Sequence, residues 1–257
     1  MIVDTNASLG DWPFRRLAYS SPRDFVELMD ATGVAQAWVG PFEGLFYRDM
    51  AAANRLLCER IAGYEDRLLP WAVINPNFPG WEDDLAEAVD AGATGIRLYP
   101  NYHAYGLLDE CAASLLGRVS ELGLPVAIYH KVVDERLHHW HCLVPPAEVD
   151  LAALVGRFPE VTYLLCGLGL PTAQQYADLI RSHRVYLEIS RLEGVEALAA
   201  LCGTVGSDHV VFGTHAPYFY AQAAHLKVVE AGLSEADRMG VLYGTSQALL
   251  AGCAADV

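Results

Sequence analysis

The sequence predicts a single (β/α)8 barrel, and three observations carry that expectation. Short apolar, β-branched runs alternate with longer segments of helical period from one end of the chain to the other. Eight such runs can be counted, each apolar nearly throughout instead of alternating, as strands buried on both faces of a parallel sheet require. The 257 residues match the usual size of one α/β barrel, so the whole of 1–257 is read as one domain.

The strands are expected at residues 2–5, 35–39, 69–74, 95–99, 126–129, 162–166, 185–189 and 209–212. Ser21-Pro22 offers an N-cap and a first-turn proline, and Gly33 ends that helix before the second strand. Residues 48–62 read as an amphipathic helix with Met50, Leu56, Leu57 and Ile61 facing the core. Further helices are expected at 81–91, 107–122, 146–157, 173–182, 194–201 and 218–231, with a last one from 234 to about 250. Right-handed crossovers close such a series into a barrel. A doubly wound open sheet is the rival, but no GxGxxG or GxxxxGK turn follows the first strand.

A hydrophobic fraction of 53% and a charged fraction of 19% give a large core and exclude a disordered chain. The net charge of -15 argues against nucleic acid or an anionic membrane surface as partner. The six cysteines form no CxxC or CxxH pair, no leader is recognised and no apolar run reaches membrane-helix length. A cytoplasmic protein acting on a small molecule, alone or as a homo-oligomer, is the expectation.

Barrel enzymes place their chemistry at the C-terminal ends of the strands. There the sequence sets Asp4 and Asn6, then Asn75, then Arg97, Tyr99 and Asn101 with His103 just beyond. His130, Glu188, Ser190 and His215 complete the set. Two long loops leave the same face, at 7–21 and 130–145. The second carries His138, His141 and Trp140 and reads as a lid, while Trp12 and Phe14 lie in the first.

These segments resemble the amidohydrolase superfamily, in particular its branch of small barrels that includes decarboxylases and lactonases. The resemblance rests on Val-Asp-x-Asn-x-Ser-Leu-Gly at 3–10, Gly-Ile-Arg-Leu-Tyr-Pro-Asn at 95–101 and Leu-Pro-Val-Ala-Ile-Tyr-His at 124–130. The segments 158–169 and 212–217 are similar to its sixth and eighth strands. The resemblance implies a His-x-His metal pair where this chain has Asn6 and Ser8. It also implies a histidine at Gly167, an aspartate at His215, and a fifth-strand histidine that falls on Tyr129 or His130.

Neutral amide and hydroxyl oxygens are poor zinc ligands. The usual binuclear zinc site is therefore not expected, and no residue is assigned as a metal ligand. Three chemistries compete for the surviving groups. The leading one is metal-free acid/base catalysis by Asp4, His130 and His215. Asn6, Arg97, Tyr99, Asn101, His103 and Glu188 would bind the substrate. The second is a relocated single divalent metal on His130, His215 and a carboxylate such as Asp4 or Glu188. The third is a Cys166 nucleophile. The function expected is amide or lactone hydrolysis or decarboxylation, by a hydrolase or lyase; the alternative is a barrel that has lost catalysis and serves as a binding or scaffold protein.

Overall fold

The computed structural model describes residues 1–134, 136, 139, 140 and 142–254. Eight parallel strands follow one another in chain order: β1 (Ile2–Leu9), β2 (Val34–Pro41), β3 (Leu68–Val73), β4 (Gly95–Leu98), β5 (Val126–Tyr129), β6 (Tyr163–Cys166), β7 (Val185–Glu188) and β8 (Val210–Val211). The circle closes between β8 and β1. Thr5 N donates to Phe212 O, Ser8 N to Ala216 O, and Ala7 bridges Ala216 in parallel. The molecule is a (β/α)8 barrel, as the strand count predicts.

Helices α1 (Pro22–Thr32), α2 (Met50–Ile61), α3 (Trp81–Asp90), α4 (Pro100–His103), α5 (Glu110–Glu121) and α6 (Leu151–Arg157) follow the first five strands. α7 (Leu170–Gln175), α8 (Ala177–Ser182), α9 (Ala197–Val205), α10 (Ala221–Glu230), α11 (Glu235–Met239) and α12 (Thr245–Ala254) complete the ring. Among the described residues no helix is long and apolar enough to cross a membrane.

α1 starts where expected because the Ser21 hydroxyl accepts from Asp24 N at 3.2 Å, with Pro22 in the first turn. Elsewhere side chains move the ends. Asp150 accepts from Ala153 N, so α6 begins at 151 and not at 146. Asp109 accepts from Gly106 N and closes a turn, delaying α5 to 110. The expected last helix is interrupted by a π-helical turn over Gly240–Gly244. β8 is only two residues long because Phe212 N donates to Val241 O of that turn instead of to a strand. In α2 the predicted Leu56 is only half-buried, and Asn54 takes the inner face. Its amide pairs with both Val73 N and Val73 O at 2.9 Å, fixing the end of β3.

The core has two shells. Helix-to-sheet packing forms the outer one. The inner one fills the barrel, with Trp38 and Trp71 stacked at 4.9 Å and fully buried. Tyr99, Tyr129, Leu164 and Cys166 continue this inner packing.

Candidate active site

β1 slips register against β2 between Asp4 and Ala7, and this irregularity coincides with the first polar cluster. The Asp4 carboxylate accepts from Asn6 N and Thr214 N at 3.0 Å and from the Thr214 hydroxyl at 2.5 Å. Burial in the barrel raises it to about 6 against the pull of those hydrogen bonds. Asp4 thus clasps β1 to the end of β8 and remains a carboxyl that titrates near neutrality.

Asn6 and Ser8 both spend their side chains inside the barrel. Asn6 Oδ1 accepts from the Tyr129 hydroxyl at 2.7 Å. Ser8 Oγ accepts from the Arg97 guanidinium at 3.3 Å. Arg97 is 0% exposed, donates through Nη2 to Trp38 O at 2.7 Å and lies 5.7 Å over the Tyr129 ring. Its Nε has no partner among the described residues. Tyr99 stacks on Tyr129 at 4.4 Å, and burial holds both phenols above their ordinary range, hence protonated.

The β5 register is decided by these contacts. Tyr129 points inward, so the next residue, His130, points away from the barrel interior. His130 is half-buried and its Nδ1 bonds Ala147 O at 2.6 Å, in the loop that follows. This corrects the expected trio: His130 does not join Asp4 and His215. His215 does lie beside Asp4, through Thr214. Its backbone adopts φ 55, a strained region for a residue with a Cβ, and its N donates to Asn6 O at 2.7 Å. Burial lowers its imidazole to about 3. Because Nε2 faces Val132 O at 2.9 Å, it carries the hydrogen of the neutral ring and Nδ1 keeps the lone pair.

Glu188 is also inside. Its carboxylate accepts from Gly167 N, Ser190 N and the Ser190 hydroxyl at 2.7–3.0 Å. Two expected substrate residues lie apart from this group. Asn101 donates to Pro145 O at 2.7 Å, and His103 bonds Gly44 O at 2.8 Å, lowered to about 4 by burial. Burial raises the Cys166 thiol well above its ordinary range, which disarms it as a nucleophile. His138 and His141 lie outside the described residues.

Sequence reasoning missed three members. Thr214 holds Asp4, and its only signal is its place before His215. Tyr129 was left level with His130; its parity with Ala127 is the sign that points it inward. Arg191 sits three residues past Glu188, 3.7 Å from Asp134 and 5.7 Å from the Phe219 ring. Its Nη1 is buried and has no partner among the described residues.

The mouth is roofed by aromatics. Trp12 packs edge-on against Phe14, Phe42, Phe46 and Tyr218 at 4.9–5.9 Å. Arg15 latches this loop by donating to Tyr218 O at 2.8 Å. Trp140 is 73% exposed and stacks at 6.0 Å on His139, which in turn stacks at 4.9 Å on Phe14 of the roof.

The inner residues do not suit a divalent metal. Among the described residues no three His, Cys, Asp or Glu side chains converge as a ligand set. The oxygens of Asn6 and Ser8 are engaged by Tyr129 and Arg97. Gly167 cannot gain a side chain, since a Cβ there would meet Lys131 O at 2.4 Å. A divalent ion about 5 Å from a guanidinium is repelled by about 7 kcal/mol at an effective dielectric of about 20.

A parallel eight-stranded barrel with buried carboxylates and an arginine at its strand ends defines the class of barrels that carry small-molecule chemistry at that face. Within that class the chain belongs to the amidohydrolase family, whose model matches residues 11–251. No curated protein is similar enough to match it. Among solved structures it is similar to a dihydroxybenzoic acid decarboxylase from Polaromonas sp. JS666 with bound manganese and the inhibitor 2-nitroresorcinol. That likeness has 17% identity, covers 97% of this chain and 96% of that one, and has a TM-score of 0.77. The 2,6-dihydroxybenzoate decarboxylase from Rhizobium is similar at 16% identity, 97% and 98% coverage and a TM-score of 0.75. So is a "probable 2-pyrone-4,6-dicarboxylic acid hydrolase" from Acinetobacter baumannii, with citric acid bound, at 13% identity, 97% and 99% coverage and a TM-score of 0.69.

Proposed function

We propose that this chain is a small-molecule hydrolase or lyase that works by acid/base chemistry without the family's metal pair. One observation carries the reading. Asp4, Glu188 and Arg97 are buried together in the strand-end half of the barrel, yet no ion pair joins them among the described residues. Burying a charge without a counter-charge costs several kcal/mol, and a barrel kept only for its shape has no use for that cost. An active site does, because such groups are already desolvated and aimed.

In this reading Arg97 holds an anionic oxygen of the substrate. Asp4 exchanges a proton near neutral pH, and His215, held neutral by burial, presents its Nδ1 lone pair as a hydrogen-bond acceptor. Such a set suits lactone or amide hydrolysis, where water loses a proton as it attacks a carbonyl. It also suits decarboxylation, where carbon dioxide leaves and the acid returns a proton to carbon. The decarboxylase and hydrolase neighbours support the same pair of reactions. The absence of any disulfide among the six cysteines supports a cytoplasmic location, and a homo-oligomer is compatible with the fold.

The test is a screen of lactones, amides and aromatic carboxylates, each with chelator and with added zinc or manganese. We expect turnover of one class in chelator and a loss of about 100-fold or more in Asp4→Asn. Turnover that needs added metal, or that Asp4→Asn leaves intact, would sink the proposal. The closed aromatic roof favours a second reading, a binding barrel without catalysis. Silence across the screen, with a ligand still bound, would select it.

A further inference from the structure

The interior of the barrel holds a positive charge that the resemblance to a metal enzyme does not account for. Arg97 comes from β4, is fully buried, and reaches the one atom that Ser8 contributes. The packing makes deliberate room for it. A Cβ on Gly40 would stand 2.7–2.8 Å from Cδ, Nε and Nη1 of Arg97, so Arg97 can hold this position only with glycine at 40. Trp38 O fixes Nη2 and the Tyr129 ring lies against the guanidinium. Among the described residues Nε has no partner for its hydrogen, although buried N–H groups are nearly always paired. Tyr129, the ring beneath it, occupies the Asn6 oxygen.

We infer that Arg97 is the resident cation of this site and stands in for the divalent ion. The positive charge that would receive an anionic oxygen is built into the chain, and the site takes its ligand without metal. The donor set agrees with this from both sides. The two first-strand positions that would ligate an ion are tied to Arg97 and Tyr129, and with Nη1 given to Ser8 and Nη2 to Trp38 O, Nε is the guanidinium donor left unpaired among the described residues and open to an anionic oxygen. The inference rests on the reading that the strand-end half of the barrel binds a small molecule. It does not require that the molecule be turned over.

The experiment is binding of benzoate to the full chain, followed by ligand-observed NMR, in chelator and again with zinc or manganese. The expected result is saturable binding in chelator that added metal does not strengthen. Arg97→Met should weaken it at least about tenfold, and Arg97→Lys, which keeps the charge but not the guanidinium, should weaken it less. Circular dichroism of both variants checks that the barrel is intact. Should neither fold, the wild-type comparison of chelator against metal still decides. Binding that appears only with metal, binding equal in a folded Arg97→Met, or no binding under either condition overturns the inference. A failure of the turnover screen alone leaves it standing, because benzoate binding is read without catalysis.

Discussion

The Tyr129 hydroxyl donates to Asn6 Oδ1 at 2.7 Å and ties the fifth strand to the first across the barrel interior. Both residues are buried, so removing one leaves the other unpaired. Tyr129→Phe should lower stability by about 1–3 kcal/mol, measured by denaturant unfolding. Adding Asn6→Leu to it should recover part of that loss; a further loss as large as the first would contradict the pairing.

Asp4 and His215 pull stability in opposite directions with pH. The folded Asp4 sits near 6 against 3.8, so its ionisation disfavours the fold, and stability is lost as pH rises from about 4 to about 6. That is about 3 kcal/mol. The folded His215 sits near 3 against 6.5, so stability is lost as pH falls from about 6.5 towards 3, by about 5 kcal/mol in all. Between pH 6 and 4 the two changes largely offset each other. Asp4→Asn should therefore make the acid loss steeper, and His215→Asn should make it shallower. Unfolding free energies at pH 4, 5 and 6 test both; parallel curves for all three proteins would refute the pair.

Arg60 grips the buried Glu43 with two hydrogen bonds, at 2.6 and 2.9 Å. Arg60→Met strands that carboxylate and should cost about 3 kcal/mol. Replacing both residues with Met and Leu should cost clearly less, and the difference between the two variants in a denaturant titration measures the stranded charge.

The roof over the mouth can be read chemically through Cys166, which is fully buried beneath it. Trp12→Ala removes the ring at the centre of the aromatic group and should speed alkylation of Cys166, followed by peptide mass mapping. It should also destabilise the fold by about 3–5 kcal/mol. If the alkylation rate stays at the wild-type value while stability falls, Trp12 packs the roof without sealing it.

Much of this was legible in the residues. Continuous apolar runs at barrel spacing revealed all eight strands, because strands buried on both faces cannot alternate. The same property hid the site register. In Val-Ala-Ile-Tyr-His nothing polar marks the inward face, so Tyr129 and His130 stayed level until the Asn6 contact separated them. Asp4, Arg97 and His215 could be placed because strand ends are countable from sequence. Thr214 and Arg191 could not, since their roles depend on partners 210 and 57 residues away. The helix starts at 110 and 151 were set by which backbone amide each aspartate chose, a competition between local hydrogen bonds that propensity does not resolve.

Gly40 and Arg97 also constrain which residues the two positions can carry together. The arginine at 97 lies where a Cβ on residue 40 would stand, just as the Lys131 carbonyl lies where a Cβ on residue 167 would stand. Homologues that carry arginine at 97 should carry glycine at 40 as well, whereas glycine at 40 alone commits a lineage to nothing. Placing histidines at 6 and 8 in the present chain would not by itself make a metal site, because the guanidinium would still fill the space.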